Sequence, residues 1–87
     1  MINEIWQRKN LKKLYGITLE QYKEIEKRQK YKCAICGTEK GKRSFHVDHD
    51  HETGKIRGLL CHVCNVGLGH FRDNPSLLRK AALYLES

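Results

Sequence analysis

No stretch of this chain comes near the ~20 consecutive apolar residues that a membrane-spanning helix requires. Met1–Asn10 has neither an apolar h-region nor a cleavage site, so the expectation is a protein that stays in the cytoplasm of its host cell and has no membrane partner. Large apolar side chains are scarce, with one Trp, two Phe and 39% hydrophobic residues over 87 positions. A chain of this length makes one domain at most, and domains this small often need a metal or disulfides as a staple. Acidic residues are outnumbered, ten Asp and Glu against seventeen Lys and Arg, which leaves a formal charge of +7. That excess suits a polyanion, nucleic acid being the commonest, although many basic domains bind none. There is no internal repeat or low-complexity tract, and only one proline.

What is present divides the chain. Five of the seven glycines lie between residues 37 and 67, so the middle is turn-rich and the flanks are helical. Ile2, Ile5, Trp6, the stem of Lys9 and Lys13 share one face at helical spacing, which predicts a short basic helix over Ile2–Leu14, ended by Gly16. Thr18 followed by Gln21 reads as a capping box, opening a second helix from about Leu19 to Gln29. Tyr31–Leu60 reads as hairpins, with Phe45 and Val47 on one strand, Ile56 and Leu59 on another, and Glu52–Lys55 as the turn between. A third helix should start near Cys61 or His62 and run to about His70. Asn74 as N-cap and Pro75 at the first turn predict a last helix over Pro75–Leu85, packing through Leu77, Leu78, Ala81, Ala82 and Leu85. The expected class is small α+β in a single domain, 1–87, with a basic helical lead-in over 1–30, a core over 31–70 and a C-terminal packing helix over 74–86.

Cys33–Cys36 and Cys61–Cys64 are two CxxC pairs separated by 24 residues. Four thiolates complete the tetrahedral shell of Zn²⁺, and such a closed site is structural because no position is left for water. Its binding energy, about 10–16 kcal/mol for small zinc domains, is comparable to the stability of a whole domain. Two disulfides, a redox CxxC or an iron–sulfur cluster are the alternatives. A reducing compartment disfavours the first, and no βαβ setting supports the second.

Between those pairs, His46–His51 packs five titratable groups into six residues. On a regular strand His46, Asp48 and Asp50 would face one way, and Val47, His49 and His51 the other. A bulge or a turn at the strand's end could bring Asp48 and His49 to one edge. Unpaired charges are costly in a core, so these groups serve a site or sit in water. Asn65 directly follows Cys64, so a metal on the cysteines would hold it near the strand. Phosphodiester hydrolysis needs oxygen ligands for a hard cation and a neutral imidazole to take a proton from water. Asp48, Asn65 and His49 are of those types.

The run from Cys33 through HVDHDHETGKIRGLL, the second cysteine pair, Asn65 and VGLGHFRDNP resembles the recombination endonuclease VII family. These are phage nucleases that resolve Holliday junctions, within the HNH, or ββα-metal, superfamily. The likeness covers about Tyr31–Leu85, with LKKLYGIT as a typical lead-in. It implies a zinc-stapled ββα-metal motif flanked by helices, phage- or prophage-encoded in a bacterial host. Cys33, Cys36, Cys61 and Cys64 would bind one structural zinc, and Asp48 and Asn65 one catalytic Mg²⁺ or Mn²⁺. His49 would act as general base and His51 would contact the phosphate or support the site, leaving a 5′-phosphate and a 3′-hydroxyl. Some members carry an acidic residue three positions after the asparagine, where this chain has Leu68. The longer resolvases dimerise through further C-terminal helices, so the resemblance favours a monomer here, with a homodimer as the alternative.

Arg57, Lys55, Arg43 and Lys42 are the expected DNA contacts, Arg57 first because its strand should face the Asp48–His49 strand. Lys40, Arg72, Arg79 and an N-terminal set, Arg8, Lys9, Lys12 and Lys13, read equally well as solvated surface. His46 reads as structural, while His62 and His70 are ambiguous. The function expected is a metal-dependent endonuclease. The alternative is a non-catalytic, zinc-dependent nucleic-acid-binding module, in which the Asp-His run is only a polar loop. A protein-interaction zinc domain is a third reading, which salt-insensitive binding would favour.

Overall fold

The computed structural model describes residues 4–87, less the side chains of Glu4 and Trp6. Helix α1 spans Glu4–Tyr15 and α2 spans Leu19–Arg28, and an antiparallel pair follows, β1 His46–His49 and β2 Ile56–Leu60. Helices α3, His62–His70, and α4, Pro75–Glu86, complete the small α+β fold. The core draws on α1, α2, both strands and the segment between: Leu11, Leu19, Tyr22, Cys33, Phe45, Val47, Leu59 and Leu60 are buried together, and Cys64 and Leu68 of α3 pack half-buried against them.

The helix signals act as the chemistry dictates. Gly16 takes φ +70°, a conformation cheap for glycine, and turns the chain out of α1. Thr18 Oγ1 accepts from the Gln21 N–H at 3.0 Å while Gln21 Oε1 accepts from the Thr18 N–H at 2.8 Å, so two N-terminal donors of α2 are satisfied reciprocally. Asn74 Oδ1 accepts from the Ser76 and Leu77 N–H groups and starts α4.

Three expectations need correction. The apolar face of α1 is not the one expected: Ile5 is 70% exposed, Lys9 and Lys13 are exposed, and Ile2 and the Trp6 side chain lie outside the described residues. The tight turn at Gly16 folds α2 back on α1, and Leu11 and Tyr15, one turn apart, are the residues it covers. The segment before β1 forms an isolated Lys32–Glu39 bridge rather than a second hairpin. Its backbone wraps a cysteine: the Ile35 N–H points at Cys33 Sγ at 3.4 Å, and the Gly37 N–H donates to the Cys33 carbonyl. Donors spent on a knuckle are not available to a ladder. Helix α4 buries no residue: Leu77, Leu78 and Ala81 are half-covered, while Ala82 and Leu85 are exposed.

The register of the hairpin matters most. His46 pairs with Leu60, Val47 with Leu59 and Asp48 with Gly58, but His49 pairs with Ile56. Arg57 is therefore skipped at a bulge between Asp48 and His49. A bulge breaks the alternation of faces and re-aims side chains.

Candidate active site and metal centre

The four cysteines converge, with every pair of sulfurs within 4.8 Å. Cys33 and Cys36 come from the knuckle, Cys61 is the N-cap of α3, and Cys64 lies in its first turn. Cys36 Sγ and Cys61 Sγ are 3.7 Å apart. Zn–S bonds of ~2.3 Å in a tetrahedron place sulfurs about 3.8 Å apart, so the cluster fits zinc. Burial opposes ionisation of Cys33, but backbone donors at Cys61, Cys36 and Ile35 outweigh it and pull the thiol down to about 6. Cys64 is pushed up to about 12 by burial and by its thiol neighbours Cys61, Cys36 and Cys33. One thiolate thus suppresses the next, and a cation is what allows all four to ionise.

The second cluster lies on the edge where the strands bulge. Arg57 Nε donates to Asp48 Oδ2 at 2.7 Å and Arg57 Nη2 to Asp48 Oδ1 at 2.9 Å, a bidentate pair. Nη2 also donates to Asp73 Oδ2 at 3.2 Å, and His51 Nε2 is 3.5 Å from the same oxygen. The His51 ring stands edge-on to His49 at 4.9 Å between centroids, and the Tyr15 ring touches His49 from α1 at 5.6 Å. Asp48, Arg57, Asp73, His51 and His49 therefore form one continuous chain of contacts. The Asp48 and Asp73 carboxylates hold the Arg57 guanidinium above its ordinary pKa. Asp50 is not part of this chain. Its Oδ1 accepts from the Glu52 and Thr53 N–H groups, which lowers its pKa and shapes the turn to Gly54.

Asn65 is half-buried in the first turn of α3, its N–H bonded to the Cys61 carbonyl. Leu68, one turn on, packs half-buried against the core, so this position serves packing. His46 and His62 pair with each other, 3.3 Å between ring nitrogens, and burial lowers the His46 pKa. Lys42, Arg43 and Lys55 are exposed on the flanking loops, whereas Arg57 lies in β2 itself. His70 is exposed at the end of α3.

Asp73 is the residue that sequence reading overlooked. It and Arg72 take positive φ, +53° and +57°, in the link between α3 and α4. That backbone is uncommon away from glycine, and Asp adopts it more readily than most residues. An acidic residue just before the Asn-Pro helix start was the available signal.

A family model described as recombination endonuclease VII matches residues 8–87, which hold both cysteine pairs and the whole His46–His51 run. The Gene 59 protein of Mycobacterium phage D29 is 49% identical over 73 residues, covering 82% of this chain and 44% of that protein. The Gene 59 protein of Mycobacterium phage L5 is 45% identical over 73 residues, with the same shares. The chain thus spans less than half the length of these curated relatives. With nearly its whole length matched, the chain belongs to the recombination endonuclease VII family.

Proposed function

We propose that the chain is a metal-dependent endonuclease of the HNH type, hydrolysing DNA phosphodiester bonds by nicking or structure-selective cutting. The observation that carries this reading is the contact chain from Asp48 to His49, together with a cysteine cluster, in a chain of the recombination endonuclease VII family. Asp48 fits a cation ligand: its carboxylate, 14% exposed, already has both oxygens engaged by a cationic side chain. Asn65 adds a neutral oxygen of the kind that hard ions accept. Zinc on the four thiolates would fix the start of α3 and so the place of Asn65.

Mg²⁺ or Mn²⁺ held by Asp48 and Asn65 would offset charge on the scissile phosphate and on the departing oxygen. His49 would take the proton of the attacking water through a ring nitrogen. Tyr15 and His51, both edge-on to its ring, restrict how that ring can turn. His51, held by Asp73, would face the phosphate. The departing 3′ oxygen would take a proton from water, leaving a 5′-phosphate and a 3′-hydroxyl. Lys42, Arg43 and Lys55 would meet neighbouring phosphates without reading sequence.

One observation favours a second reading, a zinc-dependent DNA-binding module without catalysis: Arg57 occupies both oxygens of Asp48. Supercoiled plasmid separates the two. Zinc-loaded protein should nick it only after Mg²⁺ or Mn²⁺ is added, and the new 5′ ends should accept ligation without prior phosphorylation. Plasmid binding with no cut product in either metal would establish the second reading.

A further inference from the structure

Asp48, as the proposed ligand, faces a competitor within its own fold. Both its oxygens are bonded to Arg57, at 2.7 and 2.9 Å, so a divalent ion approaching the carboxylate competes with these bonds and meets the guanidinium charge beside it. The competitor has somewhere to go. Its Nη2 is shared with Asp73 Oδ2 at 3.2 Å, and 39% of its side chain is exposed. Asp73 is a fixed post: its backbone is left-handed, and its N–H donates to the Leu68 carbonyl at the end of α3 at 2.8 Å. A guanidinium released from Asp48 and still held at Nη2 keeps other donors free, in the planar fork that suits a phosphate.

Resting on the metal role of Asp48 proposed above, we infer that Arg57 is an ion-gated clamp: it neutralises Asp48 until a divalent ion takes that carboxylate, then turns about Asp73 and offers its guanidinium to a DNA phosphate. Arg57 is then a positioning residue for the ion and a contact for the substrate. Asp73 is a positioning residue acting through Arg57. Ion entry and phosphate capture become linked, because each favours the released guanidinium, so DNA raises ion affinity and the ion raises DNA affinity by the same factor. The clamp also keeps the carboxylate of an ion-free protein paired, which an isolated half-buried charge would not be.

The test is Mn²⁺ affinity of the zinc-loaded protein without DNA, read from the free-ion electron spin resonance signal, with zinc content and thermal midpoint as checks on folding. Arg57→Lys keeps the charge but loses the bidentate fork, so a displaceable clamp predicts Mn²⁺ binding about three- to tenfold tighter than wild type, the range expected for a partly exposed charge-assisted pair. A simple change of local charge predicts no difference for that variant. Asp73→Asn removes the post and should weaken Mn²⁺ binding several-fold, and this effect should vanish in an Arg57→Gln background. Tighter binding by Arg57→Lys together with that loss of effect supports the clamp. Equal or weaker binding by Arg57→Lys overturns it, and an undiminished Asp73→Asn effect in the Arg57→Gln background overturns the role of Asp73. Asp48→Asn separates the two levels: if it leaves Mn²⁺ affinity unchanged, the metal role of Asp48 itself fails, whatever Arg57 does.

Discussion

Replacing Gln29 with alanine should cost about 2 kcal/mol, because its side-chain amide is the stitch between α2 and the sheet. Gln29 Nε2 donates to the Lys32 carbonyl at 2.9 Å and to the Leu59 carbonyl at 3.0 Å, and Oε1 accepts from the Leu59 N–H at 2.9 Å. Leu59 is fully buried. Without the amide its carbonyl still accepts from the Ala34 N–H at 3.2 Å, but its own N–H is orphaned. An unsatisfied buried donor costs roughly 1–3 kcal/mol, while the exposed Lys32 carbonyl recovers water at little expense. For a domain of this size each kcal/mol moves the midpoint by about 4–8 °C, so the zinc-loaded variant should melt roughly 8–16 °C lower by circular dichroism. Gln29→Met, which fills the space without hydrogen bonding, should be nearly as destabilised. A Gln29→Met variant as stable as wild type would refute the assignment of the loss to hydrogen bonds. Gly58 belongs to the same contact: a Cβ there would stand 3.0 Å from Gln29 Oε1, so Gly58→Ala makes the amide give by a few tenths of an ångström.

Other outcomes follow from the same geometry. Removing zinc, by a strong chelator or by acid that protonates the thiols, should abolish cooperative melting, since about 10–16 kcal/mol of metal binding exceeds what the eight buried hydrophobic side chains among the described residues can replace; a sharp transition in zinc-free protein would contradict this. Tyr22 donates to the Phe45 carbonyl at 2.9 Å, and Tyr22→Phe should cost about 1 kcal/mol in chemical denaturation. Burial raises the Tyr22 pKa from its ordinary value of 10.0 to about 12, so the folded state holds its proton longer than the unfolded chain. Stability is therefore intact below pH 10.0 and declines as pH climbs towards about 12, a slope that Tyr22→Phe should flatten. Thr18→Ala removes half of the capping box and should lower stability by about 1 kcal/mol, with Thr18→Ser largely restoring it.

Much of this was legible in the residues because the signals were local. A capping box, an Asn-Pro start, a glycine at positive φ and two CxxC pairs each specify their geometry within a few residues, and the structure has them all. What the sequence hid was non-local. Which face of α1 is covered depends on where α2 lies, and Leu11 packs there although helical spacing alone points to the face of Ile2, Ile5, Trp6, Lys9 and Lys13. A bulge near Asp48 and His49 is one of the options the sequence leaves open, but that it skips Arg57 is a property of two strands together, which periodicity in one of them cannot show. Asp73 lies 25 residues beyond Asp48 in the chain and reaches it only through Arg57, so its place before the Asn-Pro start marks a helix boundary and not its link to Asp48. Leu68 shows the reverse: one turn after Asn65, it packs half-buried against the core.

The most direct measurement is the single-turnover cleavage rate of supercoiled plasmid by zinc-loaded protein in Mg²⁺, wild type against His49→Ala, with DNA affinity measured on the same samples. The account predicts that the variant binds DNA as wild type does and cuts on the order of 10²–10⁴ times more slowly. A His49→Ala protein that cuts at the wild-type rate would contradict the account.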